Sequence, residues 1–152
     1  MQGNVYLGLG SNLGERETYL DNAISCLEAN NKINVLAKSA MVQTEPVGEV
    51  AQPMFLNMAV EIETSLSPNE LLQVCLDIEL TQGRERLEKW GPRTIDIDIL
   101  FYNDIVFKRE GLQIPHPEAH RRVFVLQPLA EIAPLFEHPV LKQTITAILQ
   151  RI

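Results

Sequence analysis

The chain has 152 residues, with 13 Lys and Arg against 20 Asp and Glu and a formal net charge of −7. That length predicts a single domain over residues 1–152, with enough core to fold without a disulfide or a structural metal. So acidic a chain lacks the broad basic field that nucleic acids and anionic membranes require, and neither partner is expected. Residues 5–9 alternate apolar and small side chains and predict a first strand, ending in the turn Gly10-Ser11-Asn12-Leu13-Gly14. Leu20, Ala23, Ile24 and Leu27 then recur at helical spacing, predicting an amphipathic helix over 16–29 that Asn30 and Asn31 stop. Residues 33–43 are β-branched and mixed and read as a second strand, and 44–53, with two prolines and a glycine, as a loop.

The cleanest alternation is at 54–63. Met54, Leu56, Met58, Val60 and Ile62 line one face, and Phe55, Asn57, Ala59, Glu61 and Glu63 line the other. Ser67-Pro68-Asn69-Glu70 is a capping box with proline at the first helical position. The helix it opens should bury Leu71, Val74, Cys75 and Ile78 and stop at Gly83. Residues 83–94 form a charged loop, 95–101 a strand, and Asn103-Asp104 turns that strand back into 105–107. A proline-bracketed stretch at 114–117, an apolar helix around 124–132 and a C-terminal helix from about Lys142 complete the chain. The order β-α-β-β-α-β predicts an α+β fold: a ferredoxin-like antiparallel sheet, helices on one face, and extra C-terminal helices. The opposite face would then be open to a ligand.

Cys26 and Cys75 fall among apolar helical residues, without metal-ligand spacing, and read as reduced core side chains. The N-terminal stretch has no basic start or apolar core of a secretory leader, and no run approaches the ~18 apolar residues of a membrane helix. A cytoplasmic protein is expected.

Trp90-Gly91-Pro92-Arg93-Thr94-Ile95-Asp96-Ile97-Asp98 is the most specific stretch. On a strand the two aspartates point the same way, about 6.5–7 Å apart at the backbone. Like charges that close repel unless a cation sits between them, and hard carboxylate oxygens suit Mg²⁺ shared with phosphate. The competing reading is the solvated polar face of an edge strand. Arg93 and the basic loop Gly83-Arg84-Glu85-Arg86-Leu87-Glu88-Lys89 favour the metal-phosphate site. Arginine forks match phosphate oxygens, and His116, Arg121 and Arg122 add to that set, although such a run also reads as a solvated loop of Glu–Arg pairs. His120 and His138 read as surface or capping residues. Phe55 and Asn57 offer a stacking surface beside an amide, which suits a flat heterocycle; an ordinary cross-strand contact is the alternative. The turn from Gly8 to Leu13 has the place of a dinucleotide loop, but Leu13 stands where that motif's last glycine belongs. It carries no nucleotide claim.

Together, Gly10-Ser11-Asn12-Leu13-Gly14, Phe55-Leu56-Asn57, Gly83-Arg84, the stretch from Trp90 to Asp98, Pro115-His116-Pro117 and Arg122 resemble the 6-hydroxymethyl-7,8-dihydropterin pyrophosphokinase family of folate biosynthesis. The resemblance runs over about residues 5–134. It implies a cytoplasmic, monomeric diphosphokinase that moves pyrophosphate from ATP to the pterin hydroxymethyl group and releases AMP. Two Mg²⁺ ions would sit on Asp96 and Asp98. Arg84, Arg93 and Asp98 would be the catalytic side chains. Glu79, Arg84, Arg86, Trp90, Arg93, Ile99, His116 and Arg122 would bind the nucleotide, Glu79 and the Ile99 backbone lying by the adenosine. Thr44, Val47, Phe55, Asn57 and Phe124 would bind the pterin, with Phe55 and Phe124 sandwiching the ring; Phe55 stands where tyrosine is common. The loops 44–53 and 83–94 would close over both substrates. Two other classes compete: a ferredoxin-like module binding a heterocycle or nucleotide without catalysis, and a metal-independent acylphosphatase-like hydrolase. Neither needs the paired aspartates. Within residues 84–122, eight bases face seven acids, so the acidic total conceals a local site suited to a small polyanion.

Overall fold

Val5, Leu7 and Leu9 alternate with Tyr6, Gly8 and Gly10 along an interior strand, β1 (Gln2–Ser11). The computed structural model describes residues 2–12, 14–44, 54–82 and 95–152. Most of the loop 44–53, the loop 83–94, Val47, Gly83, Arg84, Arg86, Trp90 and Arg93 lie outside the described residues, as does the Thr44 side chain. β1 pairs antiparallel with β4 (Phe55–Thr64) on one side and β5 (Asp96–Tyr102) on the other. Beyond β4 lie β2 (Ile33–Lys38) and the short β3 (Val42–Thr44), both antiparallel to it. The order β2-β4-β1-β5 with antiparallel neighbours is the ferredoxin-like arrangement expected.

Two helices cover the Val5-Leu7-Leu9 face, as the amphipathic patterns require. α1 (Arg16–Ala29) buries Leu20, Ala23, Ile24 and Leu27, and α2 (Pro68–Thr81) buries Leu71, Cys75, Ile78 and Glu79. Ser67 caps α2: its Oγ accepts from the Glu70 N–H at 3.2 Å, and the Glu70 carboxylate accepts from the Ser67 N–H at 2.9 Å. That reciprocal pair satisfies two of the donors a helix start leaves open.

The second face is not open along its length. Tyr6, Ala59, Leu100 and Phe101 are buried there under Leu126 and Leu129 of α3 (Val123–Ile132) and Ile145 and Ile148 of α4 (Ile145–Gln150). A bulge explains the aromatic contribution. Tyr6 pairs with Phe101 and Leu7 with Ile99, so Leu100 is an extra residue and both Leu100 and Phe101 face the C-terminal helices. Among the described residues, the cluster under α3 and α4 does not include Gly10, Phe55, Asn57, Asp96 or Asp98, at the end of this face.

Other boundaries differ for local reasons. β1 runs through the first glycines of its expected turn, because Gly10 is paired on both sides, with Asn57 and with Asp96. The strand expected over 33–43 breaks at Ser39. The Ser39 Oγ accepts from the Ala59 N–H at 2.9 Å, and Glu131 of α3 accepts from the Ala40 N–H at 3.1 Å. Side-chain oxygens there replace ladder partners. The Asn103-Asp104 turn forms, but the chain continues into a separate hairpin, β6 (Phe107–Arg109) with β7 (Leu112–Ile114), closed by Gly111 at φ 84°. α4 begins later than Lys142, where Thr144 Oγ1 accepts from the Ala147 N–H at 3.1 Å.

His138 is buried rather than superficial, at 4% exposure. Its ring stands 5.3 Å from Phe101, and its Nδ1 accepts from the Val140 and Leu141 N–H groups at 3.1 Å. Burial pushes its pKa below the ordinary 6.5, and the neighbouring His120 adds to that. A histidine kept neutral in the native state contributes stability that is whole above its unfolded pKa and is lost as pH falls through 6.5 toward the lowered native value. Urea midpoints should therefore drop between pH 7.5 and 5. In His138→Asn, whose oxygen can still accept but does not titrate, the drop should be smaller. Equal pH slopes in the two proteins would refute the assignment.

Candidate active site

The register aligns two rows across three strands. Asn57, Gly10 and Asp96 are directly paired across β4, β1 and β5, and Ala59, Gly8 and Asp98 form the next row. Cross-strand partners share a face, and neighbouring strands lie about 4.8 Å apart. An amide and a carboxylate therefore face each other across a floor of glycine. Phe55 lies along β4 on the same face as Asn57 and pairs with Thr44 on β3. The result is a trough with an aromatic and an amide on one wall and two acids on the other.

α3 closes one side. It packs on β3 and β4, and Phe124 in its first turn is half-buried. The Arg122 guanidinium just ahead of it lies 5.6 Å from the centre of the Phe124 ring, a cation–π contact that links a cation to the aromatic wall.

His116 follows the Ile114–Pro115 cis peptide and is tied back to β5, its N–H donating to the Leu100 carbonyl at 2.9 Å. Its Nδ1 accepts from the Glu118 N–H at 3.1 Å. Burial pushes its pKa down, the Asp98 charge opposes that, and Arg122 reinforces it. The ring is thus neutral, and with Nδ1 accepting, the proton falls on Nε2, a donor in the neighbourhood of Asp98 and Arg122. Asp98 and Arg122, two more of the expected site residues, are near enough to His116 for their charges to act on it.

Glu79 does not line the trough's floor. It is 4% exposed on α2, and its Oε2 accepts from the Ile97 N–H at 2.8 Å, between the two aspartates. Ile99 is buried in the α1/α2 core, so only its backbone is offered to a ligand. The Cys75 thiol, pushed upward by burial and by the charges of Glu79 and Asp98, is held as an inert thiol.

Arg16 was not singled out by any pattern. Its guanidinium donates to the Met54 carbonyl at 2.7 Å and to Gln43 Oε1 at 3.1 Å, tying the end of β3 to the start of β4. An arginine in the first turn of a helix carries no local signal of so distant a partner.

Asp98 is exposed and Asp96 half-buried. Among the described residues no three His, Cys, Asp or Glu side chains form a cage for a metal. A pair of carboxylates fits Mg²⁺, which takes one or two from protein and completes its shell with water and phosphate oxygens. No helix among the described residues is long and apolar enough to cross a membrane.

A family model described as 7,8-dihydro-6-hydroxymethylpterin-pyrophosphokinase (HPPK) matches residues 6–134. The chain is 49% identical over 132 residues to the 2-amino-4-hydroxy-6-hydroxymethyldihydropteridine pyrophosphokinase of Bacillus subtilis, covering 87% of this chain and 79% of the relative. It is 50% identical over 130 residues to the protein of the same name from Methylorubrum extorquens, covering 86% of this chain and 82% of that one. Its fold is similar to the crystal structure of wild-type Plasmodium falciparum HPPK-DHPS, with a TM-score of 0.77 and 17% identity over 99% of this chain. The chain spans 45% of that longer protein.

Proposed function

We infer, because the chain belongs to the 7,8-dihydro-6-hydroxymethylpterin-pyrophosphokinase family, that the glycine-floored trough is where its two substrates meet. The reaction is transfer of pyrophosphate from ATP to the hydroxymethyl group of 6-hydroxymethyl-7,8-dihydropterin, in folate biosynthesis. The observation that supports the reading is the row Asn57-Gly10-Asp96, which sets an amide and a carboxylate on either side of a glycine.

Phe55 and Phe124 stack on the pterin ring, while Asn57, Thr44 and the Val47 backbone read its edge. Asp96 and Asp98 would hold two Mg²⁺ ions, whose chemistry would be to neutralise phosphate charge and polarise the β-phosphorus. His116 donates from Nε2 to a phosphate oxygen, and Arg122, Arg84, Arg86 and Arg93 supply the remaining positive charge. Glu79, Trp90 and the Ile99 backbone would serve the adenosine. Arg84, Arg93 and Asp98 are the catalytic side chains. The pterin wall holds the hydroxyl in line with the bond between the α- and β-phosphates. The bond from the hydroxyl oxygen to the β-phosphorus forms as the hydroxyl gives up its proton to the Asp98 carboxylate or a phosphate oxygen, the bond from the β-phosphorus to the α–β bridging oxygen breaks, and AMP leaves. Nothing in this sequence needs a covalent enzyme intermediate. The chain is taken to work as a monomer in the cytoplasm.

The test is nucleotide analysis after mixing enzyme, Mg²⁺, ATP and the pterin alcohol. AMP should appear in proportion to pterin diphosphate, and only with Mg²⁺ present. ADP as the sole nucleotide product would overturn the reading.

A further inference from the structure

We propose that Gly10 is a positioning residue: the missing side chain at this point of β1 is what lets the Asn57 amide lie across the trough in its reading position. The inference rests on the pterin reading of Asn57 given above.

Gly10 is an unfavourable choice by local rules. Glycine inside a strand costs backbone entropy and packs nothing, and β1 is an interior strand paired on both sides. Its backbone does not require glycine: only Gly14 and Gly111 among the described glycines have positive φ. Space is what requires it. A Cβ built on Gly10 would stand 2.6 Å from Asn57 Oδ1 and 3.6 Å from a Phe55 ring carbon. The same construction at Gly8 comes nearest to the Leu100 side chain, at 3.3 Å from its methyl groups.

The atom in conflict is the end of a side chain, so the strand can keep its path if the amide moves. Asn57 is 8% exposed, and it has little room to move while still presenting donor and acceptor to the same ligand edge. An alanine at position 10 thus disturbs the amide rather than the fold. The pterin edge would lose matched hydrogen bonds, while the nucleotide side, on β5, α2 and His116, keeps its groups.

The experiment is calorimetric titration of wild type, Gly10→Ala, Asn57→Ala and the double variant with 6-hydroxymethylpterin, in Mg²⁺ and a non-hydrolysable ATP analogue. Titration with the analogue alone and a thermal melt accompany each. Gly10→Ala should weaken pterin binding by about 10- to 100-fold, with affinity for the ATP analogue unchanged. Asn57→Ala should weaken it similarly, and the double variant should bind no worse than Asn57→Ala, because the partner of the clash is gone. Gly10→Ala binding as wild type while Asn57→Ala is impaired would overturn the proposal. So would a double variant in which the two losses multiply. If Gly10→Ala does not fold, the double variant decides: a folded protein binding like Asn57→Ala supports the steric account, and an unfolded one overturns it. Asn57→Ala binding pterin normally would instead overturn the pterin reading itself.

Discussion

Asp98→Ala should lower turnover by about 10³-fold or more, with Asp96→Ala close behind, and leave pterin affinity largely intact. Before a neutral hydroxyl can attack phosphorus, the triphosphate's charges must be balanced, and in the proposed mechanism the two carboxylates side by side on β5 would hold the cations that balance them. The proposed pterin wall, Phe55 and Asn57, is on β4, separated from these acids by β1, so it should survive their removal. Folding should barely change for Asp98, because its side chain is exposed and surface substitutions usually move stability by less than about 0.5 kcal/mol. Asp98→Asn separates charge from shape: it should fail nearly as badly as alanine. AMP release, pterin titration and a thermal melt on the same preparations check all three statements. A parallel loss of stability and activity would mark the pair as structural.

The acids were legible because alternation on a strand is a local rule: Asp96 and Asp98 two residues apart had to share a face. The same rule, with the capping box at Ser67 and Glu70, read β4 and α2 to within a residue or two. It failed where long-range pairing intervenes. The extra residue at Leu100 turns Phe101 toward α3 and α4, which alternation along 95–101 does not foresee, and the second face, expected to be open from the element order, is partly covered. Gly8 and Gly10 looked like a nucleotide turn that had lost its last glycine. Their meaning emerged only when the register set Gly10 between Asn57 and Asp96. Arg16 and Ser39 act on residues 38 and 20 positions away, and no spacing rule reaches that far.

Glu79 shows the same gap from the opposite direction, and its substitution should have the second largest effect. The family resemblance placed it by the adenosine; its position on α2 adds a support beneath the acids. Among the described residues β5 has a strand partner on one side only, and the Ile97 N–H, between Asp96 and Asp98, donates to Glu79. Glu79→Ala leaves that buried N–H without its acceptor, at a cost of about 1–3 kcal/mol, or roughly 2–10 °C in Tm for a domain of this size. Because the loosened stretch carries both acids, the Mg²⁺ concentration needed for half-maximal rate should rise as well. Glu79→Gln discriminates between anchor and charge. Its amide oxygen can still accept from Ile97, so Tm should return most of the way, while any role of the negative charge beside the nucleotide stays lost. A Glu79→Ala protein that melts with wild type and keeps its Mg²⁺ requirement would remove the anchor and leave Glu79 a nucleotide contact alone.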